Sequence, residues 1–146
     1  MARISLPLSP LKIYGLTNAI CKPDTPLYKN SREAIYDFEK MQYGSCLLKI
    51  GIASEALTDM FYFHLFKNEK IPSTWEGKLN RIYHGERNDL AKFIASLLFL
   101  VKWLRNMVTH PTFYKPSEED SYLALLSFQI GLEKYVKDIL KMKVIY

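Results

Sequence analysis

The sequence lacks the short motifs that mark most cofactor-binding and metal-binding proteins. It contains no GxxxxGKS/T, GxGxxG, HExxH, GxSxG or paired CxxC pattern, so phosphate-loop, dinucleotide, zinc and acyl-transfer interpretations have no support. The only two cysteines, Cys21 and Cys46, have no metal-ligand spacing. A chain of 146 residues can bury a core without a disulfide, so both are predicted to be reduced thiols. We therefore expect no cofactor and no metal.

Long apolar runs and targeting signals are also missing. The most apolar stretch, FIASLLFLV, is flanked by Lys92 and Lys102 and is shorter than the roughly 18 residues of a membrane-spanning helix. The opening segment MARISLPLSPLKIYG has no continuous apolar run or small-residue cleavage site of a signal peptide. The expectation is a soluble, cytoplasmic protein with no membrane partner.

Basic residues modestly outnumber acidic residues in the sequence. Twenty Lys and Arg against fifteen Asp and Glu give a net charge of +5, which mildly favours a polyanionic partner such as RNA. The basic residues are dispersed, however, and form no Lys/Arg-rich arm. Charge alone therefore does not separate an RNA-binding domain from any other basic domain.

The apolar periodicity predicts an all-α fold in a single domain of residues 1–146. Four prolines interrupt the first 30 residues, which predicts an extended lead-in with at most a short helix: Pro7, Pro10, Pro23 and Pro26. Residues 31–142 form the predicted helical body, an antiparallel bundle of four to five helices. Its predicted start signals are Asn30 or Ser31, Ser73 or Thr74, Asn88 and Ser117, and residues 45–68 are the predicted central helix.

One predicted helix, DLAKFIASLLFLVKWLRNMVTH, carries a charge inside its apolar stripe. The stripe consists of Leu90, Phe93, Ile94, Leu97, Leu98, Val101, Leu104 and Val108. At about 100° per residue, Arg105 falls between Ile94 and Leu98. An arginine cannot lose its charge, so it needs an acidic or polar partner, a route to solvent along its stem, or a wet cleft. Arg105 is therefore either a structural ion pair or part of a site.

As a site, Arg105 with Asn106 and His110 suits phosphodiester cleavage. The guanidinium matches phosphate oxygens and can stabilise a pentacovalent transition state, while His110 can act as general acid or base and Asn106 can position either group. One histidine cannot easily be base and acid in the same transition state. A symmetric dimer that pairs two copies of the site would supply the second histidine.

The structural alternative needs no site. Arg105 would pair with a core carboxylate, for which Glu55 is the candidate, while Asn106 and His110 would satisfy carbonyls at the helix C-terminus. A histidine in the last turn of a helix is common, so spacing alone favours this alternative.

The segment RNMVTH resembles the R-N-x-x-x-H signature of the HEPN domains, a superfamily of all-helical bundles named for higher eukaryote and prokaryote nucleotide binding. The resemblance covers about residues 31 to 142. It implies a metal-independent endoribonuclease with a composite site across a homodimer, a 2′,3′-cyclic phosphate product and a role in toxin–antitoxin systems or antiviral defence. It further implies that Arg105 binds phosphate, His110 is the acid or base and Asn106 is the polar helper.

Some members of this superfamily are inactive, which gives a second hypothesis: a silent helical module that dimerises or binds a protein, nucleotide or RNA. In toxins modified by a nucleotidyltransferase antitoxin, a tyrosine often stands two residues after the histidine. Here that position is Thr112, with Tyr114 nearby, so the identity of any antitoxin partner stays open. Arg81 and Arg87 flank His84 in a predicted connector, and with Tyr114 they are candidate substrate-binding residues, although the sequence favours a solvated loop around His84.

Overall fold

The computed structural model describes residues 8–85, 88–110 and 115–146, and these contain six α-helices and no strand. The helices are α1 (Pro10–Ile20), α2 (Pro26–Glu39), α3 (Tyr43–Leu65), α4 (Trp75–Gly85), α5 (Asp89–Thr109) and α6 (Glu118–Lys134). A π-helical turn, Tyr135–Ile139, follows α6 directly. The all-α fold class is thus confirmed, with one helix more than the largest number predicted.

Three of the predicted helix starts are confirmed by their capping contacts. Thr74 Oγ1 accepts a hydrogen bond from the Gly77 backbone N–H at the start of α4. The Asn88 side chain accepts a hydrogen bond from the Leu90 backbone N–H at the start of α5. Ser117 and Asp120 form a reciprocal capping box at the start of α6. Each cap satisfies a backbone donor that the first helical turn leaves without an intrahelical partner, so local sequence predicts all three starts.

The predicted extended lead-in over residues 1–30 is wrong for the part that the structure describes. Pro10 and Pro26 stand in the first helical turns of α1 and α2, where a missing backbone N–H costs no hydrogen bond and the fixed φ already suits a helix. Ser9 caps α1 by accepting from the Lys12 N–H. Helix α2 consequently begins at Pro26, ahead of the expected start at residue 31. Residues 1–7 lie outside the described part of the chain.

Helix α1 belongs to the core rather than to a peripheral arm. Ile13 and Leu16 are completely buried, and α1 packs against α2 and α6. Arg32 of α2 donates to Thr17 Oγ1 at 2.9 Å and to Asn18 Oδ1 at 3.1 Å. The apolar side chains and the arginine together attach α1 to the bundle.

Helix α3 is the centre of the bundle, as its apolar composition predicted. It packs against α2, α4, α5 and α6. Its first turns approach the end of α5, where a Cβ added at Gly44 would lie 3.9 Å from Val108. Gly51, two turns further along α3, meets Arg105 of α5, so α3 and α5 are antiparallel and the C-terminal end of α5 rests against the N-terminal half of α3. Helix α6 packs on the middle of α5, with Gly131 beside Leu97.

No helix in the described part of the chain has the length and the apolar character needed to cross a membrane.

The burial of α1 predicts an asymmetric response to alanine. Ile13→Ala should lower the free energy of unfolding by about 2 to 5 kcal/mol, because it leaves a cavity in a fully packed site. Leu11→Ala, on the exposed side of the same helix, should change it by less than about 0.5 kcal/mol. Urea unfolding followed by circular dichroism measures both. Equal, small effects would show that α1 is not part of the cooperative core.

Candidate functional site

Arg105 lies one turn before the end of α5, with its stem packed on α3. A Cβ added at Gly51 would come within 2.5 Å of Arg105 Cγ and 3.2 Å of its Cδ. Real Cβ atoms do not approach so closely, so this position of the arginine requires a residue without a side chain at Gly51. Arg105 thus occupies the side of α5 that the periodicity predicted.

The guanidinium of Arg105 lies against the first residue of α4. Its Cζ atom is over the Trp75 ring, 5.1 Å from the centroid. Trp75 is buried, and its indole N–H donates to Thr58 Oγ1 of α3 at 2.8 Å. Three helices therefore meet at this arginine.

The polar contacts of Arg105 are few. Nη2 donates a long hydrogen bond, 3.4 Å, to Asn106 Oδ1. The Nε atom is buried and has no hydrogen-bond partner within the described residues. Buried donors without a partner are rare, and each one indicates either a cost to stability or a function.

The structural alternative for Arg105 is not found. No ion pair or hydrogen bond joins Arg105 to Glu55 in the ranges that the structure describes. Asp59, one turn further along α3, pairs instead with Lys78 of α4 at 2.7 Å. The charge on Arg105 is therefore not matched by a neighbouring carboxylate in the described bundle.

His110 is the C-cap residue of α5 and is exposed. Its backbone N–H donates to the Asn106 carbonyl at 3.2 Å, and its extended backbone, with φ −109° and ψ 140°, ends the helix. Within the described residues, no hydrogen bond links its imidazole to Arg105 or to Asn106. One chain thus brings the Arg105 and Asn106 side chains into contact, while His110 is exposed at the end of the helix.

The outer side of the last turns of α5 carries an exposed aromatic side chain. We define the outer face of α5 by the exposed Trp103 and the half-buried Met107, which also packs against the core. Trp103 is 63% exposed. Met107 follows Trp103 by four residues and His110 follows Met107 by three, so the histidine stands at the end of this face. Tryptophan and methionine are enriched at protein interfaces, which makes this end of α5 a candidate contact surface.

The remaining candidate residues contribute less to the site. Arg81 lies in α4, where it pairs with Glu69 at 2.6 Å and stacks on Phe66 at 4.1 Å. Its guanidinium is thus engaged within the chain, and the predicted connector around it is helical. Arg87 and Tyr114 lie outside the described residues.

The cysteines are not arranged as nucleophiles. Cys46 is completely buried, and its pKa is raised to about 12, chiefly by burial and also by the nearby Asp37 carboxylate, against a lowering contribution from Ser121. The pKa of Cys21 is also raised, mainly by burial. Since the thiolate is the reactive form, neither residue suits covalent catalysis near neutral pH. Within the described ranges, no three His, Cys, Asp or Glu side chains are grouped so that they could hold a metal ion.

Sequence reasoning missed Gly51 and Trp75 on the inner side of Arg105 and Trp103 and Met107 on the outer face of α5. The outer face had a local signal, because Trp103 and Met107 are four residues apart and off the predicted stripe. Gly51 and Trp75 had none, since both reach Arg105 only through the packing of separate helices.

The close approach at Gly51 predicts a helix glycine that does not tolerate alanine. Alanine in a helix interior is normally favoured over glycine by about 1 kcal/mol, but at Gly51 it would displace the Arg105 stem. We expect Gly51→Ala to be destabilising by about 1 to 3 kcal/mol. Gly131→Ala is the matched control, because its Cβ would meet nothing nearer than 3.9 Å. Equal changes in the urea midpoint of the two variants would contradict this packing.

No family model, curated protein or solved structure matches this chain.

Proposed function

We propose that this chain is a HEPN-type, metal-independent endoribonuclease that works as a homodimer, in a toxin–antitoxin or antiviral defence role. The observation that carries the proposal is Arg105, a half-buried cation that pairs with no carboxylate among the residues that the structure describes and lies five residues before an exposed histidine. The RNMVTH signature occupies this same helix end. A packed guanidinium without a described acidic partner suits an oxyanion better than it suits a purely structural role.

In the proposed mechanism, Arg105 binds the scissile phosphate. Its planar donors match two phosphate oxygens, and its charge stabilises the extra negative charge of the pentacovalent transition state. Asn106, already in contact with Arg105 Nη2, positions the guanidinium or the phosphate. This arrangement needs no metal ion to neutralise the transition state.

His110 moves the protons. As a base it takes the proton of the ribose 2′-hydroxyl, whose oxygen attacks phosphorus, and as an acid it protonates the leaving 5′-oxygen. The products are a 2′,3′-cyclic phosphate and a 5′-hydroxyl. Because DNA lacks the attacking hydroxyl, the reaction is specific to RNA.

The two proton transfers require two imidazoles, and a second chain supplies the second. The outer face of α5 supports this pairing, because the exposed Trp103 lies seven residues before His110. A two-fold contact between the Trp103 to His110 ends of two α5 helices would bring both histidines to one cleft.

A second candidate function is a silent helical module that dimerises or binds a protein, nucleotide or RNA. The observation in its favour is the same outer face of α5, which suits an interface whether or not catalysis follows. Cleavage assays separate the two candidates.

The nuclease proposal predicts cleavage in EDTA. Wild-type protein should cut single-stranded RNAs of varied sequence to 2′,3′-cyclic phosphate ends, and His110→Ala should lower the rate by about 10² to 10⁴-fold. His84→Ala is the matched control, because His84 is also exposed near the end of a helix. Gel analysis with end-group mapping measures this, and single-stranded DNA should stay intact. If wild type cuts none of the RNAs, or if His110→Ala cuts as fast as wild type, the nuclease proposal fails.

The dimer proposal predicts that a charge on the outer face of α5 separates the chains. Trp103→Glu would place two carboxylates in a desolvated contact, so the variant should be monomeric and slow in RNA cleavage. Phe63→Glu, on α3 and 57% exposed, should remain dimeric. Sedimentation velocity measures both. A monomeric wild type, or a dimer that persists in Trp103→Glu, would exclude this interface.

A further inference from the structure

We infer that Trp75 is a positioning residue for Arg105: its indole ring holds the guanidinium where a carboxylate would ordinarily do so, and this leaves the terminal Nη donors for a phosphate. The inference rests on the proposed function for its consequence in catalysis. Its structural content, the support of Arg105 by a ring, can be tested without any cleavage.

The first step is the charge balance at Arg105. A half-buried guanidinium has to be stabilised by an acid, a set of polar groups or an aromatic face. The described structure offers no acid and one long hydrogen bond to Asn106, so the Trp75 face is the main support for the cation. Among the aromatic side chains, the indole ring of tryptophan attracts a cation over its face most strongly.

The second step is a comparison with the two other stacked arginines in the described residues. Arg81 stacks on Phe66, but it also donates two hydrogen bonds to Glu69, at 2.6 and 3.1 Å. Arg32 stacks on two tyrosine rings and donates to four oxygens around it. Arg105 alone of the three combines a ring with a buried Nε that has no partner. Its stacking therefore replaces oxygen contacts instead of adding to them.

The third step concerns the donors that remain. A carboxylate would use the same N–H groups that bind a phosphate, so substrate would have to displace it. An aromatic ring attracts the cation without taking up those donors with oxygen lone pairs. The ring thus keeps Arg105 in place before substrate binds, which is the preorganisation that electrostatic catalysis requires.

The fourth step is the rigidity of Trp75 itself. The side chain is 4% exposed, so it cannot stack on a bound base and acts through Arg105. Its indole N–H is held by Thr58, and it begins α4, which Lys78 ties to Asp59 of α3 by an ion pair at 2.7 Å. The ring is consequently fixed to both α3 and α4.

The direct test is the side-chain Nε–H resonance of Arg105 in an ¹⁵N–¹H spectrum. In the wild type this signal should show a ring-current shift, and Trp75→Leu should abolish the shift while leaving the Arg81 signal in place. Titration with inorganic phosphate should move the Arg105 signal at lower concentration in wild type than in Trp75→Leu. Trp75→Phe, which keeps a ring, should be intermediate. An Arg105 signal and a phosphate response that are the same in wild type and Trp75→Leu would overturn the inference, whether or not the protein cleaves RNA.

The catalytic consequence is tested by a double-mutant cycle. Trp75→Leu should lower kcat by roughly 10- to 100-fold with a smaller change in KM, because a misplaced group loses transition-state contacts. In an Arg105→Ala background, Trp75→Leu should have no further effect on kcat. An equal loss in both backgrounds would assign Trp75 a merely structural role and overturn the inference. A circular dichroism spectrum and urea midpoint for each variant ensure that only folded protein is compared.

Discussion

A guanidinium cannot give up its charge when it is packed against apolar helices, and the end of this bundle is arranged around that constraint. Arg105 comes from α5, the space for its stem comes from Gly51 on α3, and the ring beneath its charge comes from Trp75 on α4. Thr58 fixes the ring by accepting its N–H. Residues from three helices therefore surround a cation that no described carboxylate neutralises.

The catalytic hypothesis follows from the lack of a carboxylate partner for Arg105 among the described residues. Within the described residues, the chain pairs Arg105 with Asn106, leaves the Nε donor buried without a partner and exposes His110 at the end of α5. We propose that Arg105 binds a phosphate and that His110 meets its counterpart from a second chain. Both features have one explanation in a half-site that a second chain completes, which is the proposal made for this protein.

The parts of the fold and of the candidate site that could be predicted are those with a local signal in the sequence. Periodicity located Arg105 on the packed side of α5, and the capping residues Asn88 and Ser117 marked their helices. The prolines were misjudged, because Pro10 and Pro26 start helices in a position where proline is favoured. The expected pairing of Arg105 with Glu55 was also wrong. The guanidinium lies instead over the Trp75 ring of α4, and this contact depends on tertiary packing.

The claim that two chains share one site is tested most directly by mixing. A fixed amount of wild-type protein is equilibrated with increasing amounts of an Arg105→Ala/His110→Ala double variant, and RNA cleavage in EDTA is measured after subunit exchange. A composite site predicts that the rate per wild-type chain falls steeply as mixed dimers replace wild-type dimers. A rate per wild-type chain that stays constant at every ratio would contradict a shared site, because each chain would then be cutting RNA by itself.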